Sequence, residues 1–123
     1  MDVLIVDDSA AIRKILQRVL AQTNLSLGKV FEAGDGQEAL NTLQANRVDL
    51  VLSDINMPIM DGLQFLAALK AKSEYASVPV VMITTEGSQA KVMEAVNLGA
   101  SGYVKKPFTA DHIQEKLRAV LPR

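Results

Sequence analysis

The sequence predicts an α/β fold: a doubly wound parallel sheet of five strands with helices on both faces. Two observations predict it. Five short apolar runs alternate strictly with five stretches of helical period, and that alternation implies parallel strands joined by right-handed crossovers. Most of the runs are continuously apolar, as strands covered on both faces must be.

The first run, Val3–Val6, ends at Asp7-Asp8 and leads into a helix marked by Ile12, Ile15, Leu16, Val19 and Leu20. These positions form the stripe of an amphipathic helix, which Ser9 is placed to cap. The second run is Val30–Ala33; Gly34-Asp35-Gly36 then punctuates a helix start, and Ala39, Leu40 and Leu43 mark the helix. The third, Leu50–Ser53, stops at Asp54 and a Met57-Pro58 turn, after which Leu63, Leu66 and Ala67 mark a third helix. The fourth covers 80–83 and is followed by Val92, Ala95 and Val96, with Leu98-Gly99 as the helix end. The fifth is brief, 103–104, and the last helix carries Ile113, Leu117, Val120 and Leu121. With no repeat, low-complexity tract or linker, a single domain over residues 1–123 is expected.

Composition narrows the function classes. Apolar residues make up 49% and charged residues 22% of the 123, as in ordinary globular domains. A net charge of −1 gives no strong field, so neither a nucleic-acid nor a membrane partner is expected. The absence of cysteine removes disulfides, thiolate metal sites and cysteine nucleophiles. No apolar run approaches the ~20 residues that span a bilayer, and the N-terminus lacks a basic signal flank, so the cytoplasm is the default location. With His112 the only histidine, no histidine triad or three-histidine metal site can form, and it reads as a surface residue.

Ligands of open α/β sheets collect at the carboxyl ends of the strands. There the first strand ends in Asp7 and Asp8, the third in Asp54, the fourth in Thr84 and the fifth in Lys105-Lys106. Three carboxylates on one rim repel one another unless a cation joins them, which marks a site. The set suits phosphoryl transfer to a carboxylate. Asp54 is the candidate nucleophile, with Mg2+ as the hard cation that Asp7 and Asp8 hold directly or through water. Lys106 would pair with Asp54 and then with a phosphoryl oxygen, and Thr84 would donate a hydrogen bond to another.

The order of these motifs resembles the receiver domain of two-component response regulators, with the greatest likeness to single-domain chemotaxis regulators. The stretches that carry it are Val6-Asp7-Asp8-Ser9, residues 32–40, Asp54 with Met57-Pro58-Ile59-Met60-Asp61-Gly62 after it, and residues 99–108 ending in Lys106-Pro107-Phe108. The resemblance implies a flavodoxin-like sheet ordered 2-1-3-4-5 and a phosphorelay in which Asp54 accepts a phosphoryl group from a histidine kinase. It implies Mg2+ on Asp8, Asp54 and the Asn56 backbone carbonyl, Asp7 acting mainly through a bound water, and a cis Lys106–Pro107 bond. Thr84 and Tyr103 would be the switch pair, moving inward on phosphorylation and altering the face built from the fourth helix, fifth strand and fifth helix. Enzyme turnover would not be the purpose, only self-phosphorylation and self-dephosphorylation.

Two residues beyond Asp54 and Thr84 stand Asn56 and Glu86, the family's rate-tuning positions, and this pair implies a short-lived phosphoryl group. Ser9 to Lys14 is where kinase contacts are expected. A downstream target would use the switching face, with a flagellar switch protein as candidate; against that partner, Ser88-Gln89 stand where the enteric chemotaxis protein has a lysine pair, although Lys91 and Lys116 are near.

Other readings compete. The chain could be the receiver of a longer regulator with a DNA-binding or enzymatic effector. A small magnesium phosphatase would need Asp-x-Asp at its nucleophile, and Asp54-Ile55-Asn56 lacks it. Gly34-Asp35-Gly36 lacks the spacing of a dinucleotide fingerprint. Two Tyr, three Phe and no Trp leave little to flank a flavin.

Overall fold

A computed structural model describes residues 1–121. Five parallel strands, β1 (Val3–Val6), β2 (Val30–Ala33), β3 (Leu50–Ser53), β4 (Val80–Thr84) and β5 (Gly102–Lys105), are ordered β2-β1-β3-β4-β5. Between and after them run α1 (Ala10–Ala21), α2 (Gly36–Ala45), α3 (Gly62–Lys70), α4 (Gln89–Asn97) and α5 (Ala110–Val120). The predicted architecture and order are therefore observed. Among the described residues, no helix is long and apolar enough to cross a membrane.

Strand side chains alternate between two cores, because successive residues point to opposite faces. Leu4, Val6, Val51, Val80 and Met82 face α2 and α3, where Leu40, Leu43, Phe65, Leu66 and Leu69 close the layer. Val3, Ile5, Leu50, Leu52, Val81 and Ile83 face α1 and α5, meeting Leu16, Leu20, Ile113 and Leu117. The three inner strands are buried along their whole length, which explains their unbroken apolar runs; β2 and β5, at the edges, are only partly covered.

The helix starts follow local chemistry. Ser9, Asp35, Asp61, Ser88 and Thr109 each accept the backbone N–H of the third residue of the helix they cap, and Asp61 forms a reciprocal capping box with Gln64. After α4, Gly99 takes φ +106°, a left-handed turn that an L side chain resists.

Three apolar positions placed in the helix stripes face solvent instead. Ile15 is 42% exposed and Val96 52%, and Ala67 is exposed too. Each lies at the margin of its stripe, one residue beside a buried Leu16, Ala95 or Leu66, where helix rotation of ~100° per residue turns it outward. Phe65 and Leu69 do the burying on α3. Strand β4 is one residue longer than its apolar run, ending on Thr84, and β5 extends one residue to either side of 103–104.

Candidate functional site

Ladder hydrogen bonds place the site. Asp7, Asp54 and Lys106 each follow the last residue of a strand. Their N–H groups donate to Ala33, Val6 and Thr84 carbonyls at 3.0, 2.9 and 2.8 Å. Each side chain is thus fixed by one more rung of the sheet. Asp7, Asp8 and Asp54 offer oxygens that all lie within 4.8 Å of one another. Asp7 and Asp54 are buried, whereas Asp8 is exposed at the mouth.

The Lys106 ammonium enters between the two buried carboxylates, 2.7 Å from Asp7 Oδ2 and 3.2 Å from Asp54 Oδ2. The expected pair with Asp54 is present, but the shorter contact is to Asp7. The other oxygens are also engaged: Asp7 Oδ1 accepts the Ser9 N–H at 2.9 Å, and Asp54 Oδ1 accepts the Ile55 N–H at 2.7 Å. Lys106–Pro107 is cis.

Burial pushes the Asp7 carboxyl above its usual range; bonds from Lys106 and Ser9 offset this only in part, and the Asp54 charge adds to it. For Lys106, burial pulls downward, but the hydrogen bond to Asp7 and the Asp54 and Asp7 charges outweigh it, so the ammonium is held above its ordinary value. Three carboxylates against one ammonium leave two formal negative charges unbalanced. The donor set is all oxygen and open to water on the Asp8 side. A hard divalent cation that keeps several waters fits such a set.

A second group lies beside it. Thr84 is fully buried, and its hydroxyl accepts the Glu86 N–H at 3.2 Å. The half-buried Tyr103 donates its hydroxyl to the Glu86 carbonyl. One residue, Glu86, therefore touches both. Burial and the nearby Glu86 and Asp54 charges raise the Tyr103 phenol above its usual value. Asn56 is exposed two residues beyond Asp54.

Some of the site was not anticipated. Gly62 donates its N–H to Ile55 at 2.7 Å, and a Cβ there would lie 1.9 Å from the Asp54 carbonyl oxygen. Ile59, at φ 67° and 84% exposed, forms the tip of the loop between β3 and α3, where the Met60 N–H reaches the Pro58 carbonyl at 2.7 Å. A β-branched residue rarely adopts that conformation. Arg13 binds the Asp7 carbonyl at 2.6 Å and Glu32 at 3.0 Å. The only sequence signal for it was a charged residue in the middle of a strand, Glu32.

Elsewhere, Lys105 is exposed, and His112 is exposed as read. On α4, Met93 is 50% exposed next to Val96, Ser88 caps the helix, and Lys91 lies 3.6 Å from Glu94. Lys116 is half-buried on α5.

A family model described as the response regulator receiver domain matches residues 3–118. A chemotaxis protein CheY homolog of Campylobacter jejuni is 40% identical over 122 residues, covering 98% of this chain and 92% of its own. The structure of Vibrio cholerae chemotaxis protein CheY4 superimposes with a TM-score of 0.87 at 39% identity, covering 98% of both chains. The Mn(2+)-bound form of response regulator Rcp1 is similar at a TM-score of 0.85, with 26% identity over 99% of each chain.

Proposed function

Because the chain belongs to the response regulator receiver domain family, we propose that it is a phosphorelay switch that accepts a phosphoryl group on Asp54 from a histidine kinase. The observation that carries this is the Asp7–Asp8–Asp54 cluster with the Lys106 ammonium set between two of its carboxylates. The likeness to chemotaxis proteins supports chemotaxis as the pathway, with residues 1–123 working as one cytoplasmic receiver unit.

In the transfer, a carboxylate oxygen of Asp54 bonds to phosphorus while the phosphorus–nitrogen bond of the donor's phosphohistidine breaks, and the leaving imidazole takes up a proton from water. Lys106 gives up part of its ion pair with Asp54 to meet a phosphoryl oxygen, and its bond to Asp7 keeps the ammonium in place meanwhile. Thr84 turns its hydroxyl to a second oxygen. Asp8, Asp54 and the Asn56 carbonyl would hold Mg2+, with Asp7 acting through a bound water. When bound, the ion supplies the positive charge that lets a phosphoryl group approach three carboxylates. The manganese-bound form of Rcp1 supports a divalent cation here.

The Thr84 hydroxyl that turns to the phosphoryl group is the acceptor of the Glu86 N–H, whose carbonyl holds Tyr103. Phosphorylation thereby loosens Glu86 and frees Tyr103 to repack inward, altering the α4–β5–α5 face. The ligand biases a two-state element. The exposed Met93 and Val96 on α4 support that face as the target surface, with a flagellar switch protein as candidate partner. Asn56 and Glu86 set a short phosphoryl lifetime, and the kinase docks along Ser9 to Lys14.

Intact mass spectrometry after incubation with acetyl phosphate and Mg2+ tests the core of this. A labile gain of one phosphoryl group, lost in Asp54→Asn and without Mg2+, is expected. No gain in the folded, Mg2+-bound protein defeats it.

A further inference from the structure

Asp8 is the one member of the acid cluster that nothing holds by its side chain. Its carboxylate makes no hydrogen bond or ion pair with any described residue, and neither does its N–H. Asp7, by contrast, is held at its N–H and both carboxylate oxygens. The placement of Asp8 therefore rests on the two peptide planes beside it: the one joining it to Ser9, whose N–H donates to Asp7 Oδ1 at 2.9 Å, and the one joining it to Asp7. The second of these planes has a single partner among the described residues, the Arg13 guanidinium, whose Nη1 donates to the Asp7 carbonyl at 2.6 Å.

Arg13 is itself aimed. Its Nε donates to Glu32 Oε1 at 3.0 Å, and Lys14 Nζ steadies the other Glu32 oxygen at 3.2 Å. The Arg13 and Glu32 side chains are 19% and 29% exposed, so the contact is partly shielded from solvent. Burial pushes the Glu32 carboxyl up, but hydrogen bonds from Arg13 and Lys14 more than reverse this and hold it below its usual value. A planar guanidinium serves both acceptors at once, one nitrogen to each; a lysine ammonium on a flexible stem does not reproduce that fork.

We propose that Arg13 is a positioning residue: anchored by Glu32, it fixes the Asp7–Asp8 peptide and so aims the Asp8 carboxylate into the cation site. The proposal deepens the functional reading above and rests on it for the identity of the ion.

The test titrates the purified full chain with Mg2+ by calorimetry and follows the order parameter of the Asp8 amide by NMR relaxation without metal. Arg13→Lys keeps the charge and removes the fork. It is expected to weaken Mg2+ binding about tenfold, the order seen when the partner that orients a ligand is lost. Glu32→Gln, which weakens only the anchor, should lose less, and both should lower the order parameter at Asp8 but not at Leu4. In an Asp8→Asn background, Arg13→Lys should cost less than about twofold, since its effect runs through Asp8. Wild-type affinity in Arg13→Lys, or an undiminished loss in the Asp8→Asn background, overturns the proposal. Should Arg13→Lys fail to fold, Glu32→Gln decides by the same two readings. A wild type that binds Mg2+ but takes no phosphoryl group from acetyl phosphate would sink the functional reading alone. A wild type that binds no Mg2+ would also sink it, leaving the Asp8 order parameter to decide the role of Arg13.

Discussion

Asp8→Asn should make the metal-free protein more stable and the Mg2+-loaded protein less so. Asp8 has oxygens within 4.8 Å of those of Asp7 and Asp54. At that separation two like charges repel by ~0.9 kcal/mol in bulk water and ~3.5 kcal/mol at an effective dielectric of 20. Asp8 is exposed, so the lower figure applies to each of its two pairs, and Lys106 and salt screen part of it. About 1 kcal/mol of net relief remains, which corresponds to a melting point higher by roughly 3–5 °C for a domain of this size. Mg2+ reverses the order. At a hundredfold excess over its dissociation constant, an ion that binds only the folded state adds ~2.7 kcal/mol, and wild type gains it while Asp8→Asn, lacking a ligand, gains less. The assay is thermal unfolding in chelator and across a Mg2+ series, with NaCl matched for ionic strength. A metal-free Asp8→Asn that melts below wild type would show that the cluster is not under charge strain. Equal gains for both proteins on adding Mg2+ would remove Asp8 from the cation site.

Other perturbations follow the same geometry. Lys106→Met strips the partner from two buried carboxylates and should cost ~3 kcal/mol near neutral pH, read from urea midpoints. The Lys106 value is raised in the fold, so its stabilisation is complete below the unfolded value of 10.5 and is lost as pH climbs through the folded one. The gap between wild type and Lys106→Met should therefore close on the alkaline side, and a gap that widened there would contradict the assignment. Gly62→Ala sets a methyl group against the Asp54 carbonyl oxygen and should cost about 3 kcal/mol with a matching loss of phosphoryl uptake, checked by denaturation and mass spectrometry. Ile59→Gly relieves a left-handed conformation costing ~1–2 kcal/mol against ~0.5–1 kcal/mol of added chain entropy, so its urea midpoint should rise slightly or stay level.

The fold was legible because the inner strands are buried on both faces and so had to be spelled in unbroken apolar runs. Where a face is only partly covered, the pattern says less. Ile15 and Val96 carry the same apolar signal as Leu16 and Ala95, yet periodicity reports which side of a helix is apolar and not how much of that side a neighbour covers. In the site, Asp7, Asp54 and Lys106 could be read because each ends an apolar run. That Lys106 sits closer to Asp7 than to Asp54 could not, since both carboxylates are offered by adjacent strands and the choice depends on how the β5–α5 turn folds back. Gly62 and Arg13 reach the site through main-chain atoms of other residues, and residue type alone does not say which main-chain atoms a side chain or a close approach will meet.

Two kinds of support hold the site, and they differ in how they fail. Asp7, Asp54 and Lys106 are extensions of the ladder, so their relative positions are set by the registers that pair Val6 with Ala33 and Ser53, Ser53 with Met82, and Thr84 with Lys105. A one-residue slip there would turn every buried strand side chain to the wrong core, so the register is protected by the whole hydrophobic energy of the domain. Asp8 and Asn56 lie beyond the last rung. Asp8 depends on the Arg13 guanidinium on one side and the Ser9 N–H bond to Asp7 on the other, and the loop that carries Asn56 depends on Gly62 lying against Asp54. Substitutions at Arg13 or Gly62 therefore reach the site without passing through the core. The buried carboxylates and the lysine stay rigid, while the exposed members of the cluster are those whose geometry single side chains can tune.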